Sequence, residues 1–247
     1  MKKTRIGARA ALLALALLSA LGLGAFALYA GSRRAVSADA MIQVEDMPPL
    51  IALTFDDGPK RSTTTALLDG LSQRGVQATF FLIGEQLVGN EDLVRRMDEE
   101  GHQIGIHTYD HVKLTGLNRA DFDAQVDKTR QMLKNILGHN DFLLRPPYGM
   151  YDAGVQAMAG CPIILWSIDP EDWGDKNTAR EVQQIVSEAQ DGSIILLHDI
   201  YPESVQAALQ VVDALHQQGY LFVTIDELFA ARGIELQAGE VYWNAYP

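Results

Sequence analysis

With one cysteine in 247 residues, Cys161, the chain can form no internal disulfide and cannot build a zinc site from thiolates. Cys161 precedes the apolar run Pro162-Ile163-Ile164-Leu165, the setting of a buried structural thiol. Basic charge is scarce where nucleic-acid binding would need it. Residues 41–247 carry 14 basic against 31 acidic side chains, a net of −17 that the six Lys and Arg of residues 1–40 partly mask. Nucleic-acid phosphates repel a domain of that sign, and a neutral or cationic polymer suits it better. No Gly-x-Gly-x-x-Gly follows the first β-type run, which counts against a dinucleotide-binding sheet. The composition is otherwise that of a globular fold, with 47% hydrophobic and 21% charged residues.

Charge is missing altogether from Ala10 to Ala30, a run of 21 residues preceded by Lys2, Lys3, Arg5 and Arg9. That length can cross a bilayer as a helix, and the positive flank puts residue 1 in the cytoplasm. Residues 1–30 therefore read as a transmembrane anchor, or as a signal segment cut near Ala38-Asp39-Ala40. Residues 31–48 read as a polar linker, and 49–247 as one extracytoplasmic domain, held at the cell membrane or secreted.

In that domain β-type runs alternate with amphipathic stretches. Strands are predicted at 50–55, 78–83, 103–107, 142–145, 162–168, 193–198 and 221–225, and helices over 91–101, 119–138, 178–190 and 203–219. Asn118 and Asn177 are placed as N-caps, and Gly101, Gly138, Gly192 and Gly219 as helix stops. Mostly apolar strands alternating with helices imply a parallel sheet covered on both faces. The expectation is an α/β fold, a distorted (β/α) barrel of about seven βα units preceded by the N-terminal apolar helix. The tail after Gly233, with Tyr242, Trp243 and Tyr246, is expected to pack outside it.

The unusual polar residues gather at strand ends. Asp56 and Asp57 follow the first run, His107 closes the third with His111 four residues on, and Arg145 ends the fourth. Asp169 and Asp172 follow the fifth, and His198 ends the sixth. The C-terminal ends of barrel strands form the catalytic mouth, so five segments would converge there. His107 and His111 have the i, i+4 spacing that puts two imidazoles on one face of a helical turn. With one carboxylate they make a three-ligand metal site that leaves positions open. Alone, the spacing equally fits two polar loop histidines. The zinc-protease version needs Glu after the first His, and here Thr108 stands there. His102, His139 and His216 are expected to be surface or satisfied residues. On extended backbone Asp56 and Asp57 point to opposite sides, which suits two separate roles, one at a metal and one taking a proton.

Thr54-Phe-Asp-Asp-Gly-Pro59, His107-Thr-Tyr-Asp-His111, Arg145-Pro-Pro-Tyr-Gly149, Asp169-Pro-Glu-Asp-Trp173 and Leu196-Leu-His198 resemble the five ordered motifs of the NodB-type polysaccharide deacetylases, carbohydrate esterase family 4. The resemblance spans residues 48–230. Gly219 to Leu228 and the run after His198 are most similar to bacterial peptidoglycan N-acetylglucosamine deacetylases. The resemblance implies a divalent metal on Asp57, His107 and His111, zinc first, with cobalt, manganese or nickel as alternatives. It implies Asp56 as general base aligned by Arg145, the backbone N–H of Tyr148 as an oxyanion donor, and His198 as general acid tuned by Asp172. Trp173, Leu196 and Pro147 would form the pocket that receives the acetyl group. One departure is Asp152, where the family often has Asn, a change that touches substrate contacts.

The implied partner is a cell-wall glycan, with no nucleic acid, and with membrane contact through the N-terminal segment. Peptidoglycan N-acetylglucosamine is the expected substrate. N-acetylmuramic acid, chitooligosaccharides and O-acetylated xylan are alternatives, and the oligomeric state is open. The rival readings are a glycoside hydrolase working through Asp56 and Asp172, a two-His-one-carboxylate iron oxygenase, and a silent glycan-binding domain.

Overall fold

The computed structural model describes residues 48–247, so the apolar run 10–30 and nearly all of the linker lie outside the described residues. Among the described residues no helix is long and apolar enough to cross a membrane. Eight strands form one all-parallel sheet: β1 (Leu50–Asp56), β2 (Thr79–Leu82), β3 (Gln103–Ile106), β4 (Leu143–Leu144), β5 (Ile163–Ile164), β6 (Ile194–His198), β7 (Leu221–Phe222) and β8 (Val241–Tyr242). The helices are α1 (Arg61–Arg74), α2 (Glu91–Glu99), α3 (Arg119–Leu137), α4 (Ala153–Ala159), α5 (Thr178–Glu188), α6 (Pro202–Gln217) and α7 (Ile225–Ala231). The main strand order is β6-β1-β2-β3-β4-β5-β8, with β7 beside the first two residues of β1. Between β5 and β6 the ladder shrinks to a bridge between Ile168, four residues past β5, and Ile195, flanked by hydrogen bonds from the Ser167 and Ile168 N–H groups to Ile194 O, so the sheet is a half-barrel, consistent with a distorted (β/α) barrel.

Alternation along the strands separates two apolar clusters. Ile51, Leu53, Phe55, Phe80, Leu82, Ile195 and Leu197 face outward and pack under helices through Leu67, Leu71, Phe122, Val126 and Val211. Leu50, Ala52, Phe81, Leu143, Ile164 and Ile194 face inward. Each such side chain contributes about 1.5–3 kcal/mol on full burial, so a one-residue register slip in β1 would exchange its two faces at a large cost. Helix α7 lies beneath the inner cluster, adding Ile225, Leu228 and Phe229, while the Ile225 N–H donates to Thr79 Oγ1 at the start of β2. The inward register of β1, β3, β4 and β6 then continues to Asp56, His107, Arg145 and His198 at the C-terminal ends.

Three expectations change. The tail does not simply lie outside: Val241–Tyr242 extends the sheet beside β5, and the Ala245 N–H donates to Gly192 O at 2.8 Å. Gly192 therefore serves this docking and the turn into β6, while α5 already ends at Glu188. The strand predicted over 221–225 stops at Phe222. Thr224 and Glu227 form a capping box there, which satisfies the free N–H groups of α7 and starts a helix. Asn118 and Asn177 do cap α3 and α5, accepting from the Asp121 and Arg180 N–H groups.

Candidate metal and catalytic centre

A cavity of about 410 Å³ opens at the C-terminal ends of the strands, lined by Asp56, Asp57, His107, His111, Tyr148, Trp166, Asp169, Trp173, Leu196 and His198. A larger groove of about 670 Å³ lies near the N-terminal ends of β4 and β5, lined by Arg130, Phe142 and Cys161, and holds none of these groups.

Asp57, His107 and His111 each turn one ligand-capable atom to a common point. Asp57 Oδ1 lies 3.5 Å from His107 Nε2 and 3.4 Å from His111 Nε2. The route to this convergence differs from the expected one. Residues 107–111 are not a helical turn but a bent loop in which Thr108 (φ 65°) and His111 (φ 62°) adopt left-handed backbone. The loop is pinned by Gly84 N–H to Thr108 O, Glu85 N–H to Tyr109 O, and the Thr129 hydroxyl to Thr108 O. Asp57 also leaves extended backbone (φ 74°), and that turn, rather than strand alternation, separates its carboxylate from that of Asp56.

The donor set fits a divalent cation. His107 Nδ1 lies 2.7 Å from the Arg145 carbonyl, which can only accept, so Nδ1 carries the proton and Nε2 presents a lone pair. Burial pushes the His107 pKa down, which favours this neutral form. Asp57 Oδ1 is buried, without a hydrogen-bond partner among the described residues. A lone pair facing an unpartnered carboxylate oxygen is an electron-rich contact that a metal ion would relieve.

Beside this trio, Asp56 is 2% exposed and Arg145 fully buried. Arg145 Nη1 donates to Asp56 Oδ1 at 2.8 Å and to Thr54 Oγ1 at 2.7 Å, Nε donates to Ile164 O, and Nη2 to Leu165 O. The guanidinium also lies over the Phe81 ring, at 4.0 Å from its centroid. With acceptors around its planar fork, a buried arginine stays a fixed countercharge to Asp56.

Across the cavity, Asp172 is fully buried and accepts twice from one residue: the His198 N–H at 2.8 Å and Nδ1–H at 2.7 Å. Burial opposes charge on His198, but the hydrogen bond and charge of Asp172 prevail and raise its pKa to about 9. The ring is thus a cation near neutrality, with Nε2–H free of Asp172. Tyr148 has positive φ (62°), and its N–H takes no acceptor among the described residues. Its ring stands edge-on to His111 at 4.8 Å. Trp173, 54% exposed, and buried Leu196 line the cavity, while Pro147 is buried and does not line it.

Trp166 was not among the expected site residues, although it stands two positions after inward-facing Ile164 and so continues the inner register of that strand. The three remaining histidines lie elsewhere. His102 is buried, accepts the Ala78 N–H, and is pushed by burial to a pKa of about 4. His139 pairs with Asp98 and Asp141, and His216 packs edge-on against Phe222. The thiol of Cys161 is buried, as expected.

The profile of the family described as Polysaccharide deacetylase matches residues 43–162. The solved structure of the T48 deacetylase with substrate superimposes with a TM-score of 0.76 at 38% identity, covering 81% of this chain and 99% of that one. The chain belongs to the polysaccharide deacetylase family. Two curated relatives of this deacetylase domain extend the comparison. The peptidoglycan-N-acetylglucosamine deacetylase PgdA of Listeria monocytogenes serotype 1/2a (strain 10403S) is 41% identical over 194 residues, 78% of this chain and 41% of that protein. The peptidoglycan-N-acetylmuramic acid deacetylase PdaC of Bacillus subtilis (strain 168) is 37% identical over 185 residues, 75% of this chain and 40% of that protein. The chain thus spans about two-fifths of the length of these two relatives.

Proposed function

We propose that this domain is a divalent-metal-dependent hydrolase that removes acetyl groups from N-acetylated sugars of an extracytoplasmic glycan, peptidoglycan N-acetylglucosamine first. The observation that carries the reading is one cavity with three kinds of group around it: the Asp57-His107-His111 trio, the Arg145-held carboxylate of Asp56, and the cationic His198. The substrates in the relatives' names favour peptidoglycan, and the net negative charge suits a neutral sugar polymer. Residues 10–30 support export, with the domain anchored or released outside the cytoplasm.

Asp57, His107 and His111 would hold the ion, zinc by preference for two imidazoles and a carboxylate. When bound, such an ion lowers the pKa of water towards about 7 and polarises an acyl carbonyl. Asp56 takes the proton from the attacking water, aimed by the hydrogen bond from Arg145. The Tyr148 N–H donates to the oxyanion that develops on the acetyl oxygen, an interaction typically worth about 3 kcal/mol. His198 then gives its Nε2 proton to the sugar nitrogen as the C–N bond breaks, leaving acetate and a free amine. His198 is available as the acid near neutrality because it is paired with Asp172. Trp173, Trp166 and Leu196 form the apolar wall against which the acetyl methyl packs.

A glycoside hydrolase would need Asp56 and Asp172 presented across a sugar. Asp172 is instead fully buried behind His198 and does not line the cavity. The test is to incubate the purified, zinc-loaded chain with peptidoglycan, chitooligosaccharides and acetylated xylan, and to assay acetate and reducing ends together. Acetate from peptidoglycan without new reducing ends supports the reading. Reducing ends without acetate would replace it with glycoside hydrolysis.

A further inference from the structure

Asp199 follows His198 directly, and none of the steps above uses it. Its side chain is fully buried, yet Oδ1 has no hydrogen-bond partner among the described residues. The other oxygen accepts from the Thr64 hydroxyl in the first turn of α1. Thr64 Oγ1 accepts in turn from the Lys60 N–H at 2.8 Å, and Lys60 Nζ donates to the Ile200 carbonyl at 3.0 Å. The carboxyl group also lies flat against Gly58, where a Cβ would overlap both of its oxygens. On the far side of the same turn, the Ile83 N–H donates to Gly58 O at 3.0 Å. The segment after Asp57 is therefore gripped from β6 and from the end of β2.

That grip acts next to a strained residue. Asp57 adopts a φ of 74°, where a residue with a Cβ stays only if its surroundings hold it there. Asp57 Oδ1 reaches the two imidazoles from this conformation. We propose that Asp199 is a positioning residue for the metal centre. Through Thr64 and its contact on Gly58, it locks the Asp57-Gly58-Pro59 turn so that the Asp57 carboxylate is aimed at His107 and His111 before an ion arrives. A larger residue at 58 is excluded by the same contact, and an apolar residue at 199 would leave the Thr64 hydroxyl without its acceptor. The inference rests on the metal-centre reading above, and metal binding tests it without any glycan.

The experiment compares Asp199→Ala, Thr64→Val and Thr64→Ser in the full chain. Zinc affinity is read by competition with a chromophoric chelator, the visible spectrum is read after cobalt loading, and circular dichroism reports the fold. Loss of an outer partner of a metal ligand typically weakens affinity by about 10–100-fold, and that is the expectation for Asp199→Ala, with an altered cobalt spectrum. Thr64→Val should move the same way, and Thr64→Ser should restore the wild-type values. Unchanged affinity and spectrum in folded Asp199→Ala would reduce Asp199 to packing and overturn the inference. If Asp199→Ala does not fold, the threonine pair decides: Val weakened with Ser restored supports the inference, and Val equal to wild type overturns it. A wild-type chain that takes no zinc would sink the metal-centre reading itself, and this inference with it.

Discussion

Replacing Asp172 with asparagine removes a charge and leaves one acceptor where two donors from His198 now converge. The His198 N–H and Nδ1–H each use one carboxylate oxygen, at 2.8 and 2.7 Å. Asparagine can serve only one of them, and its NH₂ then faces the other. Burial, which disfavours the imidazolium, is then opposed only by the weaker influence of the Asp56 and Asp57 charges, so the pKa should fall from about 9 towards 6.5. At about 1.4 kcal/mol per pH unit, the rise in the wild-type chain corresponds to about 3 kcal/mol in favour of the charged ring. If protonated His198 is the acid, kcat/KM in the wild type should decline only as pH rises through about 9. At pH 8 the variant ring would be about 3% protonated against about 90% in wild type, so kcat/KM should drop about 30-fold. At pH 5.5 the two should lie within a few-fold of each other. The same linkage applies to stability. A raised histidine pKa stabilises the metal-free fold fully below 6.5, and that contribution is lost as pH climbs through about 9. The assay is acetate release across pH 5–10, with the thermal midpoint followed in parallel. An alkaline limb that stays near 9 in Asp172→Asn would refute the acid assignment and its cause.

Three further perturbations separate roles within the site. Asp56→Asn should keep metal and, because Arg145 retains Thr54, Ile164 and Leu165 as acceptors, should still fold, though less stably since the buried guanidinium loses its countercharge, and turnover should fall by about 10²–10⁴-fold. His107→Ala should lose zinc as well as turnover, so metal content measured beside acetate release distinguishes base from ligand. Arg145→Met should destabilise the domain by about 3–5 kcal/mol in urea unfolding, since it leaves Asp56 buried without its countercharge, and wild-type stability there would deny the pair its role. Glu181, in the first turn of α5, is buried with both oxygens unpartnered among the described residues. Burial, helped by Asp172, raises its pKa to about 7. Its stabilising contribution is full below about 4.5 and lost as pH rises through 7, so Glu181→Gln should raise the thermal midpoint at pH 8. A gain of equal size at pH 4.5 would contradict that cause.

Much of the site was legible because strand alternation and strand ends are sequence-local. Once Leu50–Asp56 is read as a strand, Asp56 falls on the same face as Leu50 and Ala52, and the same step of two carries Leu143 to Arg145 and Ile194 to His198. The order of the motifs then places their polar ends at one mouth. What was not legible depends on tertiary restraint. Nothing in the sequence marks Asp57, Thr108, His111 or Tyr148 as left-handed, since none is glycine, and the bonds that pin the turn after Asp57 and the loop at Thr108 come from Ile83, Gly84, Glu85 and Thr129, distant in sequence. The helical-turn reading of His107–His111 gave a correct pairing through the wrong backbone. The eighth strand was missed because Val241–Tyr242 is two residues long, and only docking on β5 and Gly192 defines it. The start of α7 is marked in the sequence: Thr224-Ile-Asp-Glu227 is a capping-box pattern, although the apolar run before it carries a strand signal through to Ile225.

If Asp57, His107 and His111 hold a divalent ion that deacetylation requires, activity must follow the metal. The purified chain is stripped with a chelator and zinc is titrated back, with bound metal and acetate release from peptidoglycan followed on the same samples. Acetate release should vanish on stripping and return in proportion to bound zinc, saturating at one ion per chain. Acetate release that survives complete removal of metal would contradict it.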